Sequence, residues 1–144
     1  MPIHFFNEDL VFQPENQTTL ITWLHQVFQL HDKQIIELNY IFCSDEYLLS
    51  INQKHLQHDY YTDIITFDNS EEESAIEGDI FISVERVREN ASSLNHSFDI
   101  ELYRVLAHGL LHLIGFNDKT DSEKKVMREK EDACISLLQN LSST

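Results

Sequence analysis

The spacing of hydrophobic positions changes several times along the chain, and each change marks an element. Ile3-His4-Phe5-Phe6 predicts a short first strand. Pro14-Glu15-Asn16 opens a helix whose Leu20, Ile21, Leu24, Val27 and Phe28 recur at helical spacing, so one face meets a core. Ile36, Leu38, Tyr40 and Phe42 alternate with Ile35, Glu37, Asn39 and Ile41, the period of a strand with one face more buried than the other. Ser44 stands where an N-cap would, with Asp45 and Glu46 in the first turn and Leu48, Ile51 and His55 on one face of a second helix.

Asp63 to Asp68 and Gly78 to Ser83 have the β-branched enrichment of buried strands. Between them, Asn69 to Glu77 reads as a solvated loop, because the like charges of Glu71, Glu72 and Glu73 repel one another. Val84, Val87, Ala91 and Leu94 mark a helix ending near Asn95-His96-Ser97. From Leu102 to Phe116 the chain is apolar almost all round, which predicts a helix buried on most sides. Thr120-Asp121-Ser122-Glu123 matches a capping box, and the last helix runs on through Val126, Met127, Ala133, Cys134, Leu137, Leu138 and Leu141. Met127 reads there as core filling. The order β-α-β-α-β-β-α-α-α predicts an α+β fold, a small mixed sheet of about four strands with helices packed on it.

A chain of 144 residues has the size of one domain, taken as residues 1–144. No apolar run reaches the roughly eighteen residues of a membrane span, and the N-terminus lacks a basic start and a small-residue cleavage site, so a cytoplasmic protein without membrane association is expected. Cys43 and Cys134 lie far apart in apolar patterns and read as buried reduced thiols. The formal charge of −15 predicts poor binding to free nucleic acid. Lys119, Lys124, Lys125, Arg128 and Lys130 cluster late in the chain, but Glu123, Glu129 and Glu131 are interleaved, which favours a solvated helix face over a basic patch.

Candidate chemistry concentrates in residues 108–118. His108 and His112 are four apart on the most apolar helix, so both imidazoles project from one face. Two unpaired imidazoles there would each carry a desolvation cost of about 1–3 kcal/mol, which a bound cation removes. Gly115 can end the helix in a left-handed turn that brings Asp118 back as a third ligand. His-x-x-x-His-x-x-Gly-x-x-Asp has the ligand spacing of metzincin proteases, and three protein ligands leave a coordination position open for chemistry. The general-base Glu of those proteases is replaced by Gly109, which argues against peptide hydrolysis. The missing side chain at Gly109 is also expected to leave space beside the metal for a bulky group such as a phosphodiester.

The run His108-Gly109-Leu110-Leu111-His112-Leu113-Ile114-Gly115-Phe116 resembles the signature of the YbeY family, bacterial metal-dependent endoribonucleases of rRNA maturation. Asn52, Asp59, Thr62 to Phe67, Gly78-Asp79-Ile80, and Met127 with Glu131 extend the resemblance over roughly residues 35–138. It implies a Zn²⁺ ion held by His108, His112 and Asp118, and action in ribosome biogenesis with ribosomal RNA and the ribosome or ribosomal proteins as partners, not DNA. Two positions depart from the family pattern: Asp118 stands for a third His, and Leu56 for an Arg aimed at phosphate. Lys54 or Arg104 could supply that cation, or be ordinary surface and ion-pair residues. His58 and Asp59 could line the site or cap a turn. No residue is assigned as the catalytic base. The alternatives are a non-catalytic ribosome-assembly or RNA-binding factor with a structural metal, and an atypical metallopeptidase.

Overall fold

The computed structural model describes residues 2–142. Its elements in chain order are β1 (Ile3–Asn7), α1 (Gln17–Leu30), β2 (Gln34–Cys43), α2 (Asp45–Leu56), β3 (Ile64–Asp68), β4 (Ala75–Ser83), α3 (Val84–Ser93), α4 (Phe98–Ile114) and α5 (Asp121–Ser142). The four strands form one sheet in the order β1-β2-β4-β3, with β1-β2 and β2-β4 parallel and β3-β4 antiparallel. The mixed sheet and its helices make the α+β fold that the hydrophobic pattern predicts. Among the described residues no helix is long and apolar enough to cross a membrane.

The main core joins α1, α4 and α5 to β2 and β4 through Trp23, Phe28, Tyr40, Phe42, Ile80, Leu106, Leu110 and Met127, all fully or almost fully buried. Two buried polar atoms are satisfied across it: Trp23 Nε1 donates to the Cys134 carbonyl at 2.7 Å, and the Tyr40 hydroxyl donates to the Leu106 carbonyl at 2.9 Å. The second bond ties α4 to the middle of the sheet. Met127 is core, and both cysteines are buried free thiols, as expected.

Five local expectations need correction. The register of β2 against β4 slips between Ile35 and Glu37, so Ile36 leaves the face of Leu38, Tyr40 and Phe42 and stands 54 % exposed, while Ile35 packs on the core. A bulge adds one residue and breaks the period of two. Strand β4 starts at Ala75, not Gly78, because Ala75 and Ile76 pair with Gln34 and Ile35 and Ile76 is buried. Ser97 does not end the preceding helix but caps α4, accepting from Ile100 N at 3.2 Å, which moves that helix start back to Phe98. The same helix stops at Ile114, and Phe116 lies beyond it. His55 is exposed, its ring set edge-on to Phe67.

Other signals hold to the residue. Ser44 accepts from Tyr47 N at 3.1 Å as N-cap of α2. Thr120 and Glu123 exchange reciprocal bonds of 3.0 and 3.1 Å at the start of α5.

Candidate metal centre

Helix α4 runs close over β3 and β4, and small residues permit the approach. A Cβ built on Gly109 would lie 2.9 Å from Ile80 Cδ1 and 3.0 Å from Ile64 Cδ1, and one on Gly78 would lie 2.9 Å from Leu113 Cδ1. Gly109 therefore faces the sheet, not the metal ligands. The expected space beside the metal is filled by Ile80 and Ile64, and Gly109 is a packing residue. Gly115, at φ 125°, ends the helix where a side chain would be strained, and its N–H bonds the Leu111 and His112 carbonyls at 3.1 Å.

That turn returns Asp118 to the histidines. His108 Nε2 and His112 Nε2 are 3.1 Å apart, Asp118 Oδ2 is 3.3 Å from His108 Nε2, and Asp118 Oδ1 is 3.5 Å from His112 Nε2. A tetrahedral ion with bonds of about 2.0–2.1 Å needs ligand atoms about 3.3 Å apart, so the triangle has the size such an ion requires. Two imidazoles and a carboxylate are also a donor set suited to zinc. The three side chains form a group able to hold a metal ion.

The outward nitrogen of His108 is fixed from behind. Its Nδ1–H donates to Glu131 Oε2 at 2.7 Å, leaving the Nε2 lone pair on the ligand side. Glu131 is 5 % exposed on α5, and its other oxygen accepts from Arg104 Nη1 at 3.1 Å. Arg104 Nη2 reaches Asp132 at 2.8 Å, so this guanidinium is engaged in ion pairs, while it also lines, with Arg128, a second cavity of about 280 Å³ that shares His108 and Asp118. Burial works to lower the His108 pKa, but the Glu131 bond and the charges of Glu131, Asp118 and Asp63 outweigh it, and the net shift is upward. His112 shifts downward through burial and repulsion from His108, against the pull of Asp118. The neighbouring Asp63 is pushed up by burial, although Asn90 Nδ2 donates to it at 3.3 Å.

The triangle opens into a cleft of about 530 Å³ lined by residues from α2, β3 and α4 and from the segment between α2 and β3. Leu56 and His58 line it, whereas Lys54 does not. Asp59 does not line it; its carboxylate accepts from Gln53 Nε2 at 2.6 Å. Of the late basic cluster, Lys130 sits 5.5 Å over the Phe116 ring and Arg128 is 3.9 Å from Glu131. The pattern alone passed over the orienting role of Glu131. Its signal was present: Glu131 shares helical spacing with the buried Met127, Cys134 and Leu138, a charge on the apolar face of its helix.

Residues 3–139 match the family described as Endoribonuclease YbeY. The chain belongs to that family. A relative from Cytophaga hutchinsonii named Endoribonuclease YbeY is 57 % identical, the match covering 94 % of each chain. One of the same name from Amoebophilus asiaticus is 47 % identical over 90 % of this chain and 88 % of its own. A Thermotoga maritima protein solved in solution has 27 % identity and a TM-score of 0.67, covering 96 % of this chain and 89 % of that one.

Proposed function

We propose that the protein is a zinc-dependent endoribonuclease acting on single-stranded RNA in rRNA maturation, working as one domain over residues 1–144 in the cytoplasm. The observation that carries the reading is the triangle of His108 Nε2, His112 Nε2 and an Asp118 oxygen, sized for a tetrahedral ion and open to a cleft, in a chain whose close relatives bear the endoribonuclease name. His108, His112 and Asp118 would hold the ion. When bound, it supplies Lewis acidity at a scissile phosphate and acidifies water.

The chain's own residues do the positioning. Glu131 holds the His108 ring in the tautomer that presents Nε2. The tight seat of α4 on the sheet at Gly109 and Gly78 fixes both histidines relative to β3 and the cleft wall. Ile64 and Leu113 line that wall beside the ligands with apolar surface, which strengthens electrostatic interactions at the site. With a net charge of −15, the protein repels free polynucleotide, so it cleaves free RNA weakly and the ribosome or ribosomal proteins raise the rate by presenting the RNA.

The decisive experiment replaces His108 by Ala and reads metal content, folding and RNA cleavage separately. Loss of metal and cleavage in a folded variant is the expected result. Cleavage by a folded, metal-free variant would refute the assignment. Purified protein without nuclease activity at any metal loading, combined with an assembly defect in cells, would instead support a non-catalytic assembly factor.

A further inference from the structure

Among the described residues, the 530 Å³ cleft beside the His108–His112–Asp118 triangle has no Lys or Arg in its lining and includes Asp68 and Asp118; Arg104 and Arg128 line a separate cavity that shares only His108, Asp118 and Ile64 with it. Phosphate pairing with basic side chains cannot hold a polynucleotide along this wall. The wall offers aromatic surface instead. Tyr60 lines the cleft while remaining 55 % exposed, and its ring is stacked with His58, centroids 5.1 Å apart and planes 20° from parallel. Tyr60 Oη and His58 Nδ1 are hydrogen-bonded at 3.0 Å, which joins the two rings into one unit. The unit is anchored: Asn52, buried on α2, donates from Nδ2 to the Tyr60 carbonyl at 2.9 Å, and the His58 N–H donates to the Asn52 carbonyl at 3.0 Å. Leu56, 41 % exposed, adds apolar surface to the same lip.

A half-bare ring held rigid at the edge of a cleft has little to gain from water and much from a flat partner, because stacking buries its face at small entropic cost. We propose that the Tyr60–His58 pair is a stacking platform for an unpaired nucleobase of single-stranded RNA, seated in the cleft that opens on His108, His112 and Asp118; the proposal rests on the endoribonuclease reading. A base inside a duplex already has both faces covered, so the platform selects unstacked nucleotides. Because affinity comes from a ring face and not from paired charges, binding at this point is tolerant of sequence and only weakly salt-dependent.

Two variants test this on the metal-loaded full chain. Tyr60→Ala is expected to raise KM for a single-stranded oligoribonucleotide roughly tenfold, with a much smaller change in kcat and an unchanged metal content, while Tyr60→Phe restores KM because the ring returns. Tyr60→Trp provides a readout independent of cleavage. Trp23 is fully buried and contributes a constant background, so quenching on adding the oligonucleotide reports stacking at position 60. Quenching by the single strand, but not by its abasic counterpart or by a duplex, supports the platform. No quenching together with an unchanged KM in Tyr60→Ala, in an enzyme that still cleaves, overturns the platform and leaves the nuclease reading standing. Quenching without cleavage at any metal loading supports the platform and overturns the nuclease reading.

Discussion

The carboxylate of Glu131 on α5 accepts a hydrogen bond from Nδ1–H of His108 on α4 at 2.7 Å, so a residue remote in sequence sets the orientation of a ring in the candidate metal site. Partners of this kind typically change metal affinity by about 10–100-fold when removed. Glu131→Gln is expected to weaken zinc binding within that range while leaving far-ultraviolet circular dichroism intact, as measured by competition with a chromophoric chelator. An unchanged affinity would show that the helix alone holds His108 in place.

Metal affinity should depend on pH with a sign set by the same contact. Each imidazole must lose its proton to bind, and the His108 pKa lies above its ordinary value of 6.5 because Glu131 and Asp118 favour the charged ring against the effect of burial. Protons therefore begin to compete above pH 6.5, and affinity falls continuously as pH is lowered towards 6. In Glu131→Gln the onset should move to lower pH. Chelator competition at half-unit intervals from pH 6 to 8 checks both curves, and a flat profile would contradict the assignment of His108 as a ligand.

Gly109 acts through packing, so Gly109→Ala should be felt in stability before metal content. Ala gains about 1 kcal/mol of helix propensity, but its methyl meets Ile80 and Ile64 at 2.9–3.0 Å, and overpacking of that kind costs about 1–3 kcal/mol. The net expectation is a destabilisation of about 1 kcal/mol with zinc still bound, relieved in part by Ile80→Val. Urea denaturation of the three proteins measures it; a stabilised Gly109→Ala would mean the helix can rise off the sheet freely.

Burial pushes the Cys43 thiol up to about 12 and the Cys134 thiol up to about 11. Thiolate is the reactive form, so at pH 8 neither cysteine should react with an aromatic disulfide reagent until the protein unfolds. Two equivalents released in denaturant and almost none in buffer is the expected result. Rapid labelling of either thiol in the native state would show that the core opens locally.

The elements themselves were legible because burial imposes a period: Leu38, Tyr40 and Phe42 face the core and Met127, Cys134 and Leu138 line one helix face, as spacing predicts. The failures share a cause, which is that local pattern does not report the partner. Ile36 obeys the alternation of its neighbours, but the slip against β4 that exposes it is a property of two strands. The acidic run before Ala75 masks a strand whose extra length comes from pairing with Gln34 and Ile35. At the site, the convergence of the two histidines and Asp118 was readable because all three fall in one helix and its turn. The packing role of Gly109 was not, since its contacts Ile80 and Ile64 belong to other elements.

All three side chains proposed to hold the ion come from residues 108–118, so gathering them requires closing only one short turn of chain at Gly115. Loop-closure entropy is small at that separation. The order of events during folding follows: the ligand set can form as soon as the last turns of α4 exist, before the non-local parallel pairings of β1, β2 and β4, whose contacts span far more sequence and form more slowly. An ion held there would tie the end of α4 to its own following turn, and the Glu131 contact from α5 makes the site depend on a distant part of the chain.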